Sequence, residues 1–147
     1  MTFQNKPKFS VVTALLADSE FRRVPQVHTN HKDSLQSSNL NVIAGPKNED
    51  TSISQITLEL NFDISFQDSK EVECFIRYVG LFESNDDVSP EELEKYCYIN
   101  APAMLFPFVR EHLANLCQKA GLGTIMLQSE NFVKGYHEMK AKEEKNK

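Results

Sequence analysis

Ile56, Leu58, Leu60, Phe62, Ile64 and Phe66 alternate without a break with Thr57, Glu59, Asn61, Asp63 and Ser65. Successive side chains of an extended chain point to opposite faces, so this run commits the segment to a half-buried strand with one dry face and one wet face. The segment after Gln67-Asp68-Ser69-Lys70 supplies a neighbour, with Val72, Cys74, Ile76, Tyr78 and Phe82 on one face. The two apolar rows meet on one side of a hairpin only if the connection holds an odd number of residues, so a loop of three or five is expected. A loop of two or four would carry Glu71 and Glu73 into the core row. The opposite face, Glu73, Phe75, Arg77, Val79 and Leu81, is too apolar for water alone and is expected to meet a partner.

Upstream, Phe9 to Leu16 is apolar and β-branched enough for a strand. Its polar continuation through Asp18, Glu20, Arg22 and Arg23 suits a sheet edge, and Pro25 should end it. Residues 26–51 are rich in Asn, Ser, His and Lys, interrupted by Leu35 and by Leu40 to Ala44, which reads as a long crossing loop with one short strand. Downstream, Ser89-Pro90-Glu91-Glu92 carries the N-cap, first-turn proline and capping-box glutamate of a helix. Asn100 and Pro102 suggest a second start, and Pro107 either kinks that helix or marks its first turn. Leu105, Val109, Leu113, Leu116 and Ala120 recur at helical spacing before Gly121 closes the element. A last helix is expected from about Asn131, with Phe132, Val133, Tyr136 and Met139 on its apolar side and Gly135 as a weak point. Strands first and helices after them give an α+β fold, a mostly antiparallel sheet with the helices gathered on one side.

A chain of 147 residues fits one domain, here residues 1–139, followed by a charged tail, 140–147, expected to fray. The 21 acids outnumber the 16 lysines and arginines, a field that opposes nucleic-acid binding. Cys74, Cys97 and Cys117 are odd in number and in no metal-like spacing, which suits reduced thiols in a cytoplasmic protein. Phe9 to Ala17, behind Lys6 and Lys8, superficially resembles a signal-peptide core. Ser10, Thr13 and the lack of a small residue at position 15 argue against it, and no run is long enough for a membrane span.

No phosphate loop, dinucleotide fingerprint, nucleophile elbow or zinc-protease motif is present, so neither an enzyme nor a cofactor is expected. His28, His31 and Asp33 are a weak metal match without helical or cysteine support, and no metal is expected. His112 and Cys117 share a helix without facing each other as a nucleophile pair would, and His112 reads as a partly exposed helix residue. What remains is more apolar and aromatic surface than a small half-covered sheet can hide. Either a homo-oligomer buries it, or residues such as Phe75, Met104, Phe108 and Phe132 offer an adaptable surface to extended polypeptide.

The segment Ala101-Pro102-Ala103-Met104-Leu105-Phe106-Pro107-Phe108-Val109-Arg110-Glu111 resembles the helix signature of the SecB family of bacterial export chaperones. Leu127 and Asn131-Phe132 fit the family's later Leu and Asn-Phe, and Val79-Gly80-Leu81-Phe82 resembles the end of its corresponding strand. The likeness covers residues 53–136, with a fainter continuation through the first two strands. It implies a four-stranded antiparallel sheet, a long crossover between the first two strands, two helices on one face, and a homotetramer built as a dimer of dimers. It implies ATP-independent binding of unfolded precursor polypeptides in apolar grooves, which keeps them unfolded for export through the SecA motor. The resemblance places client contacts at Leu40, Val42, Val72, Phe108 and Phe132, and an oligomer interface at Cys74, Ile76 and Tyr78.

The chain departs from that family where a partner would be read. Arg22, Arg23 and Phe75 stand where the family carries an acidic docking face, Ser129-Glu130 replaces a proline before Asn-Phe, and the tail is rich in lysine. Docking to SecA is the implied activity these changes bear on. A SecB-like chaperone dedicated to one client, such as an antitoxin, and a purely structural oligomer or adaptor are the other two readings.

Overall fold

A computed structural model of the chain describes residues 7–25, 34–45, 48 and 50–147. Four strands, β1 (Phe9–Arg23), β2 (Ser34–Ala44), β3 (Ile53–Phe66) and β4 (Ser69–Ser84), precede helices α1 (Pro90–Lys95), α2 (Ala101–Lys119) and α3 (Phe132–Lys145). The sheet order is β1-β4-β3-β2, antiparallel at every pairing, so β1 and β2 are the two edges.

The alternating run does what its period requires. Ile56, Leu58 and Leu60 are fully buried and Phe62 nearly so, while Glu59, Asn61 and Asp63 face the other way. Each fully buried side chain of this kind contributes about 1.5–3 kcal/mol of transfer free energy. The row is matched across β4 by the pairs Ile64–Val72, Phe62–Cys74, Leu60–Ile76 and Leu58–Tyr78.

The hairpin achieves this parity by an unexpected route. Its loop is Gln67-Asp68, two residues with φ of 49° and 63°, in place of the three or five the sequence suggested. Glu71 then bulges between Lys70 and Val72 and supplies the odd residue, keeping both glutamates out of the core row. The bulged carbonyl accepts from the Val24 amide at 2.9 Å, which ties the bulge to the end of β1.

β2 also differs from expectation: it is an eleven-residue strand paired with β3 along its whole length. Its Asn- and Ser-rich composition disguised it, because an edge strand with its dry side only partly covered carries little apolar signal. The helical half begins as read, with the Ser89 hydroxyl accepting from the Glu92 amide. α2 starts at Ala101, where Asn100 and Pro102 suggested, but the Asn100 side chain makes no capping hydrogen bond. A single π-helical turn, Tyr96–Asn100, joins α1 to α2, and the Ala101 amide donates to Tyr96 O, five residues back. Pro107 lies inside α2.

α2 lies on the dry row, with Leu105, Val109, Leu113 and Cys117 wholly buried. It closes at Gly121 (φ 75°), where Gly121 N–H donates to Gln118 O and Leu122 N–H to Cys117 O in a Schellman arrangement. Arg23 reaches from the end of β1 to the Ala120 carbonyl and adds a cation where the helix dipole is negative. α3 begins at the Asn131 side chain, which accepts from the Lys134 amide. It runs helical to Lys145, so the charged segment from 140 continues the helix where fraying was expected. Lys140 is ion-paired with Glu94 of α1, which holds that turn in place.

Candidate functional site

The two edges of the sheet are built differently. β1 carries two register irregularities, between Val11 and Thr13 and between Leu16 and Asp18, together with Asp18, Glu20, Arg22 and Arg23. β2 pairs with β3 through eleven unbroken partners and holds no charged residue, no proline and no bulge. Long, flat, uncharged edges are what soluble proteins normally avoid, since their free amides and carbonyls template another strand.

Two cavities open along β2 on the helix-covered side. The first, about 440 Å³, is lined by Leu40, Val42, Tyr98, Phe132, Tyr136 and Met139 among others. The second, about 380 Å³, is lined by Ser38, Leu40, Phe62, Phe106, Ile125 and Leu127 among others. Both lie within the size range of ligand-binding clefts. Their positions follow from register: Leu40 and Val42 pair with Leu60 and Leu58 and therefore share the dry side with them. The aromatic wall is set by helix packing, with Phe106 edge-on to Phe132 at 6.2 Å and Tyr98 tilted on Tyr136 at 6.3 Å.

Of the five residues expected to contact a client, the structure brings Leu40, Val42 and Phe132 together in the first cavity. Val72 does not belong with them. It is 1% exposed because the Glu71 bulge seats it in the core row opposite Ile64. Phe108 lines neither cavity; it is exposed on α2 and stacks on Tyr78 at 5.8 Å. The cavities also take in Tyr98, Phe106, Ile125, Tyr136 and Met139, of which Tyr136 and Met139 were legible only as apolar helix positions.

The expected interface trio is also redistributed. Cys74 and Ile76 are buried in the chain's own core under α2, and only Tyr78 reaches the surface. Burial pushes the Cys74 thiol up to about 12, with nearby Cys117 adding to the shift, and burial likewise raises Cys117. Neither thiol is a nucleophile in that setting. A run of uncovered apolar side chains lies on β1, where Val11, Val12, Leu15 and Leu16 are each about half exposed.

On the wet face, Asp18, Arg77, Glu59 and Asn41 are successive cross-strand partners spanning all four strands. Arg77 Nη2 and Nε donate to Glu59 Oε2 at 2.7 and 2.9 Å, Arg77 Nη1 lies 3.9 Å from Asp18 Oδ2, and Asn41 Nδ2 donates to Glu59 Oε1 at 3.4 Å. A shallow concavity beside it is lined by Glu20, Arg22, Asn61, Asp63, Glu73 and Phe75. Arg22 pairs with Glu73 on this face, but Arg23 pairs with Val72 and belongs to the other side, where it caps α2. Only one of the two arginines therefore alters the wet face.

His112 Nε2 and Ser19 Oγ lie 2.8 Å apart, a tie between α2 and β1. Cys117, wholly buried, takes no part in it. Among the described residues no acid is hydrogen-bonded to His112, and no group of three or more metal-ligating side chains occurs. His28, His31 and Asp33 lie outside the described residues. No helix among the described residues is long and apolar enough to cross a membrane.

A four-stranded antiparallel sheet, covered on one face by a long helix and flanked by grooves at one edge, makes this a small α+β protein. One solved structure of similar fold is the SecB-like chaperone of Mycobacterium tuberculosis in complex with a peptide from an antitoxin, which superposes with a TM-score of 0.73 at 15% identity over 84% of this chain and 91% of that one. The family described as Preprotein translocase subunit SecB matches residues 3–143, and the chain belongs to it. Proteins named protein-export protein SecB are similar to it in Anaplasma phagocytophilum (31% identical, 65% of this chain and 63% of the relative) and Ehrlichia ruminantium (33%, 56% and 51%). The same name is carried by a relative in a Wolbachia of Drosophila simulans (29%, 67% and 64%). The chain thus spans between half and two thirds of the length of these relatives.

Proposed function

We propose that this chain is an ATP-independent holding chaperone that binds unfolded precursor polypeptide along β2 and keeps it competent for export. The observation that carries the reading is the uncharged, unbulged β2 edge with two cavities along it whose walls mix aromatic and aliphatic with polar side chains. An extended client laid against that edge gains main-chain hydrogen bonds, which do not depend on sequence, and drops alternate side chains into the cavities. Burying about 1,000 Å² of apolar client would give about 25 kcal/mol of gross transfer energy, most of it cancelled by ordering. Area in place of polar fit makes such binding promiscuous, and no cofactor enters it.

The reading includes a homotetramer, a dimer of dimers, assembled through the exposed apolar side chains of β1, with Tyr78 and Phe108 close by. A cytoplasmic location suits the buried thiols of Cys74 and Cys117. Native mass spectrometry with a reduced, unfolded, unrelated protein tests it. One client chain retained per tetramer without ATP is expected, and a chain that ignores the client overturns a general holding role.

A second reading, a chaperone dedicated to one client, draws support from the solved counterpart's antitoxin peptide and from Arg22 and Phe75 on the wet face, where SecA would dock. It predicts that one cognate partner displaces the unrelated client. Equal affinity for both rules it out.

A further inference from the structure

α2 runs antiparallel to β4, and four contacts fix their relative levels. Leu105 stands over Gly80, and Phe108 stacks on Tyr78 at 5.8 Å. His112 meets Ser19, the β1 partner of Ile76, and the Ala120 carbonyl meets Arg23, the β1 partner of Val72. A helix rises about 1.5 Å per residue and a strand about 3.3 Å, so one strand residue answers to about two helix residues. Between the last two anchors that ratio sets Cys74 level with residues 116 and 117. Cys117 is the one on the inner stripe of α2 with Leu105, Val109 and Leu113, and Cys74 is on the dry row of β4. Over Gly80 the gap between helix and strand is spanned by Leu105 alone. At the Cys74 level two short side chains share it, and Cys117 lies close enough for its charge to raise the Cys74 thiol.

We propose that Cys74 and Cys117 are an oxidisable pair, which a peroxide joins into a disulfide that staples α2 to β4. In the closed fold both thiols are buried and protonated, so the pair is inert. The last turn of α2 is held by the Gly121 cap and by Arg23, and when that turn lifts, the Cys117 thiol meets water and loses its proton. The thiolate attacks one oxygen of hydrogen peroxide, the O–O bond breaks, and the departing hydroxide takes up that proton, leaving a sulfenic acid. As the turn recloses, the Cys74 sulfur attacks the sulfenic sulfur, the S–O bond breaks, and the hydroxyl leaves with the Cys74 proton as water. Two thiols are oxidised to one disulfide and the peroxide is reduced to two waters. Cys97 stands outside the pair: it lies twenty residues before Cys117 along continuous helix, about 30 Å away, beside the Tyr96 ring stacked on Phe9.

The test treats the full chain at neutral pH with hydrogen peroxide, alkylates the remaining thiols in denaturant, and reads intact mass and a peptide map. Expected are one alkylated cysteine in place of three, at Cys97, and a linked Cys74–Cys117 peptide. The urea midpoint should rise and fall back on reduction. Arg23→Met frees the last turn and is expected to form the same linkage about fivefold faster. Cys97→Ala should keep the linkage, and Cys117→Ala should lose it; the map of the parent decides the matter even where a variant fails to fold. Absence of the linked peptide, a linkage through Cys97, or one between two chains overturns the proposal. An unchanged rate in Arg23→Met overturns the route through the lifted turn.

Discussion

The hydroxyl of Tyr136 donates to Glu94 Oε1 at 3.0 Å, a bond across 42 residues that fastens α3 to α1. Lys140 pairs with the same carboxylate from one turn further along α3. The aromatic wall of the first cavity is therefore positioned by a polar contact outside it, since Tyr136 and Phe132 share one helix.

That contact sets a pH dependence. Hydrogen bonding from Lys140, then from the Tyr136 hydroxyl, holds the Glu94 carboxyl below its ordinary 4.5 against the opposing effect of burial. A carboxyl lowered on folding stabilises the docked helix fully above its unfolded value, and that stabilisation is lost as pH falls through the folded value. Amide exchange in α3, corrected for the intrinsic rate, is expected to accelerate as pH falls below the ordinary carboxyl value while β3 stays protected. Glu94→Gln should reproduce the acceleration at neutral pH. Equal protection of α3 in parent and variant would refute the assignment.

Gly80 tests the packing of α2 on β4. A Cβ there would fall against the Phe82 ring and lie 3.0 Å from Leu105 Cδ2. Both neighbours are wholly buried and have no room to retreat. Gly80→Ala is expected to cost about 1–3 kcal/mol, the usual penalty for overpacking, read as a lower urea midpoint at unchanged slope.

Much of this architecture was legible because period and parity are local. The β3 alternation, the Ser89 and Asn131 caps and the Gly121 stop each depend on a few adjacent residues. β2 was mostly hidden: Ser37, Ser38, Asn39 and Asn41 read as loop, and their pairing with β3 is a tertiary fact. The hairpin shows the same division, for Gln67-Asp68 is not a typical two-residue turn sequence and Glu71 gives no local sign of bulging. Half of the candidate groove escaped as well. Leu40, Val42 and Phe132 were found through the resemblance, whereas Tyr98 sits in a π-helical turn that shifts helical phase and defeats periodicity. Val72, Cys74 and Ile76 were assigned to surfaces by the resemblance, whereas their own alternation put them in the row that meets the apolar row of β3.

Arg23 separates a structural role from a docking one. Its guanidinium caps the α2 carbonyl of Ala120, while Arg22 faces the wet side opposite Glu73. Arg23→Met is expected to lower stability by about 1 kcal/mol through loss of a charged cap. Arg22→Met should leave the denaturation midpoint nearly unchanged. Equal effects in the two variants would contradict the register.

Groove and core residues should likewise divide. Phe132→Ala shortens the aromatic wall and is expected to release unfolded client about tenfold faster, with the mass of the proposed tetramer unchanged. Val72→Ala deletes atoms from a closed core, should cost about 1–3 kcal/mol and leave client retention intact once stability is allowed for. Retention lost in both to the same degree would mean that the cavity near Leu40 is not where clients sit.

Assembly provides the last test, because the residues first assigned to it are mostly unavailable. Leu15 and Leu16 project from adjacent positions of β1, Leu15 beside Val79 on the wet face and Leu16 beside Tyr78 on the covered one. A partner that covers both must clasp the strand from two sides, and a charge placed on either side would be desolvated without a counter-ion. Leu16→Asp and Tyr78→Asp are each expected to reduce the mass of the tetramer in native mass spectrometry. Leu35→Asp, on a more exposed site of β2, should leave it whole. A tetramer that survives the β1 substitution and dissociates with the β2 one would place the interface on the edge assigned here to clients, and would leave the groove to self-association.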